Sequence, residues 1–287
     1  MNEKATGSGL KEAPWQLAMF RKGLKKRLRL KALTKMLAPI GDDEKCLLLT
    51  CGDNNGAMNY FLRDLGGRWF WADLEDVSLA EMSALLGESV ALASEDRLPF
   101  EDAFFDRIVV IDVHEHVDDP RIVTRELVRI LKPGAQLIVT TPNGDETKIG
   151  VRIKSLVGMS VDTYGHKRVG LTRTEIETLM SGAGVKPVDN TSFSRFFTEM
   201  LELTINFLYV KVLRKNDHDD ERTAAQGGED DDHVEIAPAT ADQLRRVRKS
   251  YRIYSVIFPV YWLISQLDHL LFFDDGYCVV VAGRREQ

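Results

Sequence analysis

A glycine-bracketed turn, Gly52-Asp53-Asn54-Asn55-Gly56, closes the apolar run Lys45–Thr50. A carboxylate, Asp73, closes a second such run roughly twenty residues later, the spacing of nucleoside-cofactor folds. Glycines at such a turn let the backbone approach a ligand and adopt positive φ. An acid ending the second strand can accept hydrogen bonds from both hydroxyls of a ribose. Dinucleotides use the same geometry, with their pyrophosphate against the following helix N-terminus. Asp53 inside the turn disfavours an anionic group and welcomes a cationic one. S-adenosylmethionine carries an ammonium and a sulfonium and no phosphate, so it is the cofactor that this charge selects.

A second cluster, Asp112-Val113-His114-Glu115-His116, follows a later apolar run. It has the residue types of a metal site, but His114 and His116 share a side only in an extended chain, and no cysteine is near. The expected role is a lid over the cofactor pocket with one histidine facing an acceptor; no metal is expected. Methyl transfer is an in-line displacement at an activated carbon, so the protein mainly holds the acceptor in line. A base contributes only where the acceptor is a hydroxyl or a protonated amine, and His116 and His166 are the candidates.

These residues need a scaffold that gathers strand ends. Lys45–Thr50, Arg68–Ala72, Val90–Ala93, Phe105–Ile111 and Gln136–Thr141 read as buried strands. Ala57–Leu65, Leu79–Leu86 and Pro120–Leu131 read as the helices between them, the last stopped by Lys132-Pro133-Gly134. Thr172 and Glu175 form a capping box for a helix to Ala183, followed by a strand, Val185–Phe193. A last strand, Tyr277–Ala282, ends the series. The expectation is an α/β fold with a doubly wound, mostly parallel, seven-stranded sheet and a helical insertion before the last strand.

Leu98-Pro99-Phe100, Phe105-Asp106-Arg107-Ile108-Val109-Val110, Glu115-His116-Val117 and Leu131-Lys132-Pro133-Gly134, in that order, resemble the class I methyltransferases of the type-11 group. That group includes enzymes acting on ubiquinone and menaquinone precursors. The resemblance spans roughly Leu47 to Val188 and implies S-adenosylmethionine as cofactor. It also implies that Gly52 and Gly56 line the methionine portion and that Asp73 binds ribose. Ser94 and Glu95 would flank adenine, and Asp112 with the residues to His116 would close over the methyl group. His166 matches a position near the acceptor, although a loop histidine bonded to backbone reads equally well. Thr50 stands where the family carries an acid, and Asn54 where it carries a glycine. Asn tolerates left-handed φ, so the turn can survive, and Asp53 can replace the missing carboxylate.

Composition frames the rest. The 287 residues suit one α/β domain with an insertion: residues 1–41 as a basic amphipathic helix, 42–193 with 276–287 as the core, and 194–275 as the insertion. A net charge of −6 gives no sign of nucleic acid as partner. Cys46, Cys51 and Cys278 fall in apolar runs without a pairing pattern, which predicts reduced thiols and a cytoplasmic location. Trp15–Ile40 carries eight Lys or Arg and no acid. The insertion holds an apolar stretch from Phe196 to Leu213 and an acidic stretch, Asn216–Ala241, too poor in apolar residues to fold alone. A basic-then-aromatic stretch, Leu244–Phe273, is broken by Pro259. The longest uncharged stretch, Ile253 to Leu267, is only about fifteen residues, too short to span a bilayer, and both basic segments suit peripheral contact with the inner face of a membrane. A cap over the pocket or a homodimer interface would look the same. Three functions fit: a methyltransferase for a lipid-like acceptor of isoprenoid or quinone type, one for a water-soluble metabolite, or a degenerate fold that only binds.

Overall fold

The computed structural model describes residues 14–37, 39–52, 54–156, 166–205 and 241–287. Its strands are β1 (Lys45–Thr50), β2 (Arg68–Asp73), β3 (Ala91–Leu92), β4 (Phe105–Ile111), β5 (Leu131–Pro142), β6 (Val185–Phe193) and β7 (Cys278–Arg285). They form a single sheet in the order β3-β2-β1-β4-β5-β7-β6. The first five are parallel, and β7 runs antiparallel between β5 and β6. The expected doubly wound sheet with its late closing strand is therefore the observed one. The order reverses between β1 and β4, which opens a crevice at their carboxyl ends.

The continuous apolar runs make sense once both faces are covered. Along β1, Leu47 and Leu49 face one core with Ile108, Val110, Leu137 and Leu127. Cys46 and Leu48 face the other with Val109, Ile138, Leu33 and Leu62. Helices α5 (Pro120–Ile130) and α7 (Arg173–Gly182) cover the first face. Helices α1 (Trp15–Phe20), α2 (Leu24–Leu37), α3 (Ala57–Arg63) and α4 (Leu79–Leu86) cover the second. Alternation on a strand buried on both sides puts successive residues into different cores. The Thr172–Glu175 capping box forms as the spacing required.

Four differences from the sequence reading have physical reasons. The N-terminal basic helix is two helices, because the chain turns at Arg21–Gly23 with Lys22 N–H on Met19 O and Gly23 N–H on Phe20 O. Lys132-Pro133-Gly134 does not end a helix but lies inside β5, where Gly134 takes φ 76° beside a register shift. An unforeseen helix, α6 (Ile149–Leu156), follows β5. In the insertion, α8 covers residues 196–205, and α9 (Ala241–Ser265) continues through Pro259 instead of breaking there. A 3-10 turn, Gln266–Leu271, leads on to β7. The acidic stretch 216–241 lies outside the described residues except for Ala241, the first residue of α9.

Arg107, on β4, ties α2 to the sheet. Its guanidinium donates to Leu37 O and Pro39 O, to Gln136 Oε1, and twice to the Glu44 carboxylate. Arg107→Met should leave two carbonyls and a carboxylate without their donor, at a cost of about 2–4 kcal/mol. Urea denaturation should show a lower midpoint at unchanged slope. A loss under about 1 kcal/mol would mean that water replaces the guanidinium at no cost.

Candidate cofactor site at the strand ends

The loop after β1 lies at the reversal point. Its positive-φ positions are Gly52 (72°) and Gly56 (84°), not Asn54. Asn54 thus does not survive in the glycine position through left-handed backbone. Its buried side chain donates to Thr50 Oγ1 and Asn59 Oδ1 and accepts from Gly56 N–H, bracing the loop from inside. Asp53 lies outside the described residues.

Asp73 ends β2, fully buried. One of its oxygens accepts from Thr50 Oγ1 at 2.5 Å, the other from the N–H groups of Gly52 (2.8 Å) and Glu75 (2.9 Å). Burial nevertheless raises its pKa above the usual carboxylate value, against the pull of those donors. The Thr50 departure has a structural use: a hydroxyl can donate to Asp73 where a second acid would repel it. With both oxygens taken, Asp73 holds the loop. The exposed carboxylate at this strand end is Glu75, which lies so close to Gly52 that a Cβ there would come within 2.2 Å of it. Cys51 Sγ donates to the same carboxylate at 3.6 Å. Ser94 and Glu95 follow β3, with Ser94 bonded to Asp96.

The loop after β4 turns sharply. Asp112 takes φ 49° while its N–H bonds Thr140 O. Its carboxylate pairs with Arg29 of α2 at 2.5 Å. Glu115 is fully buried, with one oxygen held by Thr141 Oγ1 at 2.9 Å. Burial, with the Asp112 carboxylate beside it, pushes Glu115 well above the ordinary glutamate value. His114 and His116 point apart: His114 Nε2 meets Thr124 Oγ1 on α5, whereas the His116 ring stands edge-on to His166, with centroids 4.5 Å apart. The two sequence-distant histidines are brought together by a strap. Lys167 N–H bonds Glu115 O, and the Arg168 guanidinium donates to the carbonyls of His114, Val117 and Asp118.

The structure thus gathers Gly52, Asn54, Gly56 and Asp73 around the loop after β1; His116 meets His166 and lies within 4.8 Å of Cys51 and Glu75 at the edge of that loop, and Asp112 pairs with Arg29. Three participants escaped sequence reading. Glu75 lies in a charged run with no period to mark it, and Arg29 and Arg168 reach the loop only through tertiary packing.

Strand order and switch-point loop define the Rossmann-like fold of class I methyltransferases. Residues 48–139 match the family model described as a methyltransferase domain. Among solved structures, a geranyl diphosphate C-methyltransferase from Streptomyces coelicolor superposes with TM-score 0.51 at 14% identity, over 91% of this chain and 77% of that one. A candidate sarcosine dimethylglycine methyltransferase from Galdieria sulphuraria gives 0.52 at 16%, over 92% and 86%. The [4+2]-cyclase SpnF gives 0.54 at 17%, over 91% and 82%. Likeness at these identities carries the architecture alone. A search of curated proteins gives no match. Residues 48–139 thus form a methyltransferase domain by sequence, and the sheet around them has the Rossmann-like architecture of class I methyltransferases.

His114 provides a pH test of the loop. Burial first, then Arg168, pushes its pKa from 6.5 down to about 4. The folded chain keeps it neutral where the unfolded chain protonates it, so stability is unaffected above pH 6.5 and falls as pH drops towards 4. The loss should reach about 3 kcal/mol. Denaturant melts of wild type and His114→Gln should differ in slope across that window and run parallel above it. Equal slopes throughout would refute the assignment.

Proposed function

We propose that the chain transfers the methyl group of S-adenosylmethionine to a small lipid-like acceptor of isoprenoid or quinone type, taken up while the protein rests on an anionic membrane surface. The observation that carries this reading is the outer face of α9 and the 3-10 turn after it. Ile253, Val256, Val260 and Leu263 recur at helical spacing, all exposed, and Phe272 and Phe273 extend the stripe with 80% and 75% of their surface in solvent. The inner face, with Tyr254 and Tyr261, packs inward and holds α9 to the N-terminal helices: Tyr251 Oη donates to Ala18 O and Tyr254 Oη to Lys22 O. An apolar strip this long on a soluble surface is unfavourable unless something covers it.

Charge indicates what covers it. On α2, Arg27, Lys31 and Lys35 stand exposed at four-residue spacing, one cationic stripe on the helix that follows the α9-bound segment. Each such cation near an anionic lipid surface contributes about 1 kcal/mol. No helix among the described residues is long and apolar enough to cross a membrane, so attachment is peripheral. The geranyl diphosphate enzyme shares this architecture and takes an isoprenoid, a precedent for the acceptor class.

In this reading the methionine portion lies over Gly52–Gly56, adenine beside Ser94 and Glu95, and Asp112 below the methyl group. The ribose hydroxyls go to Glu75, because Asp73 is fully buried and already takes three donors. Carboxylates at the strand ends suit a cofactor carrying an ammonium and a sulfonium. His116 and His166 face the acceptor and can take a proton from a hydroxyl.

Two outcomes follow. In calorimetry, Glu75→Ala should weaken S-adenosylmethionine by about 1–3 kcal/mol without lowering the melting temperature, whereas Asp73→Ala should lower both. A silent Glu75 would return the ribose to another residue. In co-sedimentation, the protein should pellet with anionic vesicles at low salt and only partly at high salt, where screening leaves the apolar contact. A protein that stays in the supernatant at both, and sediments as a dimer, would make the stripe a subunit contact and remove the argument for a lipid acceptor.

A further inference from the structure

Beside the cofactor crevice, Glu115, His116 and His166 each bring one ligand atom to within 4.8 Å of the others. Two buried atoms here have no hydrogen-bond partner: the second Glu115 oxygen, Oε1, and His116 Nε2. Glu115 has no surface in solvent, so its free oxygen cannot be explained by water outside the protein. Its other oxygen is fixed by Thr141, and His166 is delivered by the Arg168 strap. A half-satisfied buried carboxylate beside an unpaired ring nitrogen is unfavourable unless something binds there.

We propose that Glu115, His116 and His166 form a binding site for a divalent transition cation, with zinc the best match to the donor set. Two imidazoles and one carboxylate are the ligands of an open zinc site, at about 2.0–2.2 Å each. Two donors at that radius stand about 3.4 Å apart at the tetrahedral angle. The three side chains therefore need only small torsional adjustments to close on one ion. Thr141 supports the carboxylate from behind, as the second layer of a metal site does. Three protein ligands leave a coordination position for a water or for an oxygen of the acceptor. This assignment rests on side-chain geometry and is independent of the lipid reading; with the ion bound, His116 and His166 serve as ligands and no longer as bases.

A second trio, Cys51, Glu75 and His116, also falls within 4.8 Å. It shares His116 but needs Glu75, which is exposed, and Cys51, whose thiol is raised by burial and by Glu75. The buried trio is the stronger.

The test uses the full chain, free of affinity tag and dialysed against chelator. Titration with zinc should show one equivalent bound per chain, and cobalt substitution should give the visible absorption of a low-coordinate nitrogen–oxygen site. His166→Ala and His116→Ala should each weaken zinc at least tenfold, and Cys51→Ser should not. Thermal melting of His166→Ala checks that its fold is intact; the cobalt spectrum of wild type is a readout that needs no variant. Absence of stoichiometric zinc binding to the wild type overturns the proposal. So does unaltered binding in a folded His166→Ala variant, or loss of binding in Cys51→Ser, which would move the ion to the other trio.

Discussion

The crevice depends on one buried carboxylate. Asp73 takes a hydroxyl from Thr50 at the end of β1 and backbone donors from Gly52 and Glu75 on either side of it. It therefore fixes the ends of two neighbouring strands and the first residue of the loop between them. An isolated charge at that depth would be costly, and three donors make it tolerable. With Asp73 anchored, Gly52 can hold its left-handed conformation, and Glu75 is left as the side chain that looks outward over the loop.

The other strand ends follow a similar logic with a different counter-charge. Asp112 and Glu115 are neighbours in a buried turn and repel each other. Arg29, from α2, supplies the cation that pairs with Asp112 there. One turn earlier, Lys25 reaches Glu199 at 2.6 Å in the same way. Half of the inward face of α2 is thus electrostatic. This explains how a helix so rich in cations packs on the sheet: Lys25 and Arg29 turn inward to buried acids, Leu33 and Leu37 to the core, and Arg27, Lys31 and Lys35 to solvent. A membrane-binding role can draw only on the outward set.

Much of this architecture was legible because it is written in local pattern. Unbroken apolar runs such as Cys46–Leu49 in β1 and Ile108–Ile111 in β4 can only be buried on both faces, and the Thr172 capping box is a three-residue rule. What was not legible depends on side chains meeting across long sequence gaps. The saturation of Asp73 requires knowing that Thr50 stands beside it, a register fact. The pairing of His116 with His166 requires the Arg168 strap, which recognises carbonyls and leaves no sequence signature. Local rules also misread two breakers. Pro259 lies within α9, since proline removes only one helical hydrogen bond. Gly134 serves a strand irregularity instead of a helix stop.

Where the molecule leaves polar groups unsatisfied is informative in itself. Among the described residues, Arg29 Nε, Asp112 Oδ1, His114 Nδ1, Glu115 Oε1, His116 Nε2 and Thr140 Oγ1 are buried without partners and belong to or touch the loop after β4, while a further group of such atoms lies in the insertion. The loop after β1, by contrast, is closed by its own asparagines and by Asp73. One side of the crevice is therefore rigid and internally complete, while the other keeps spare hydrogen-bonding and ligating capacity under a strained Asp112 backbone. Departures from local optimality tend to concentrate at functional sites. A rigid side suits a cofactor bound in the same way each time. A side with spare donors and acceptors suits a ligand that must be recognised, which is why the proposed acceptor contacts fall on His116 and His166 and not on the glycine loop.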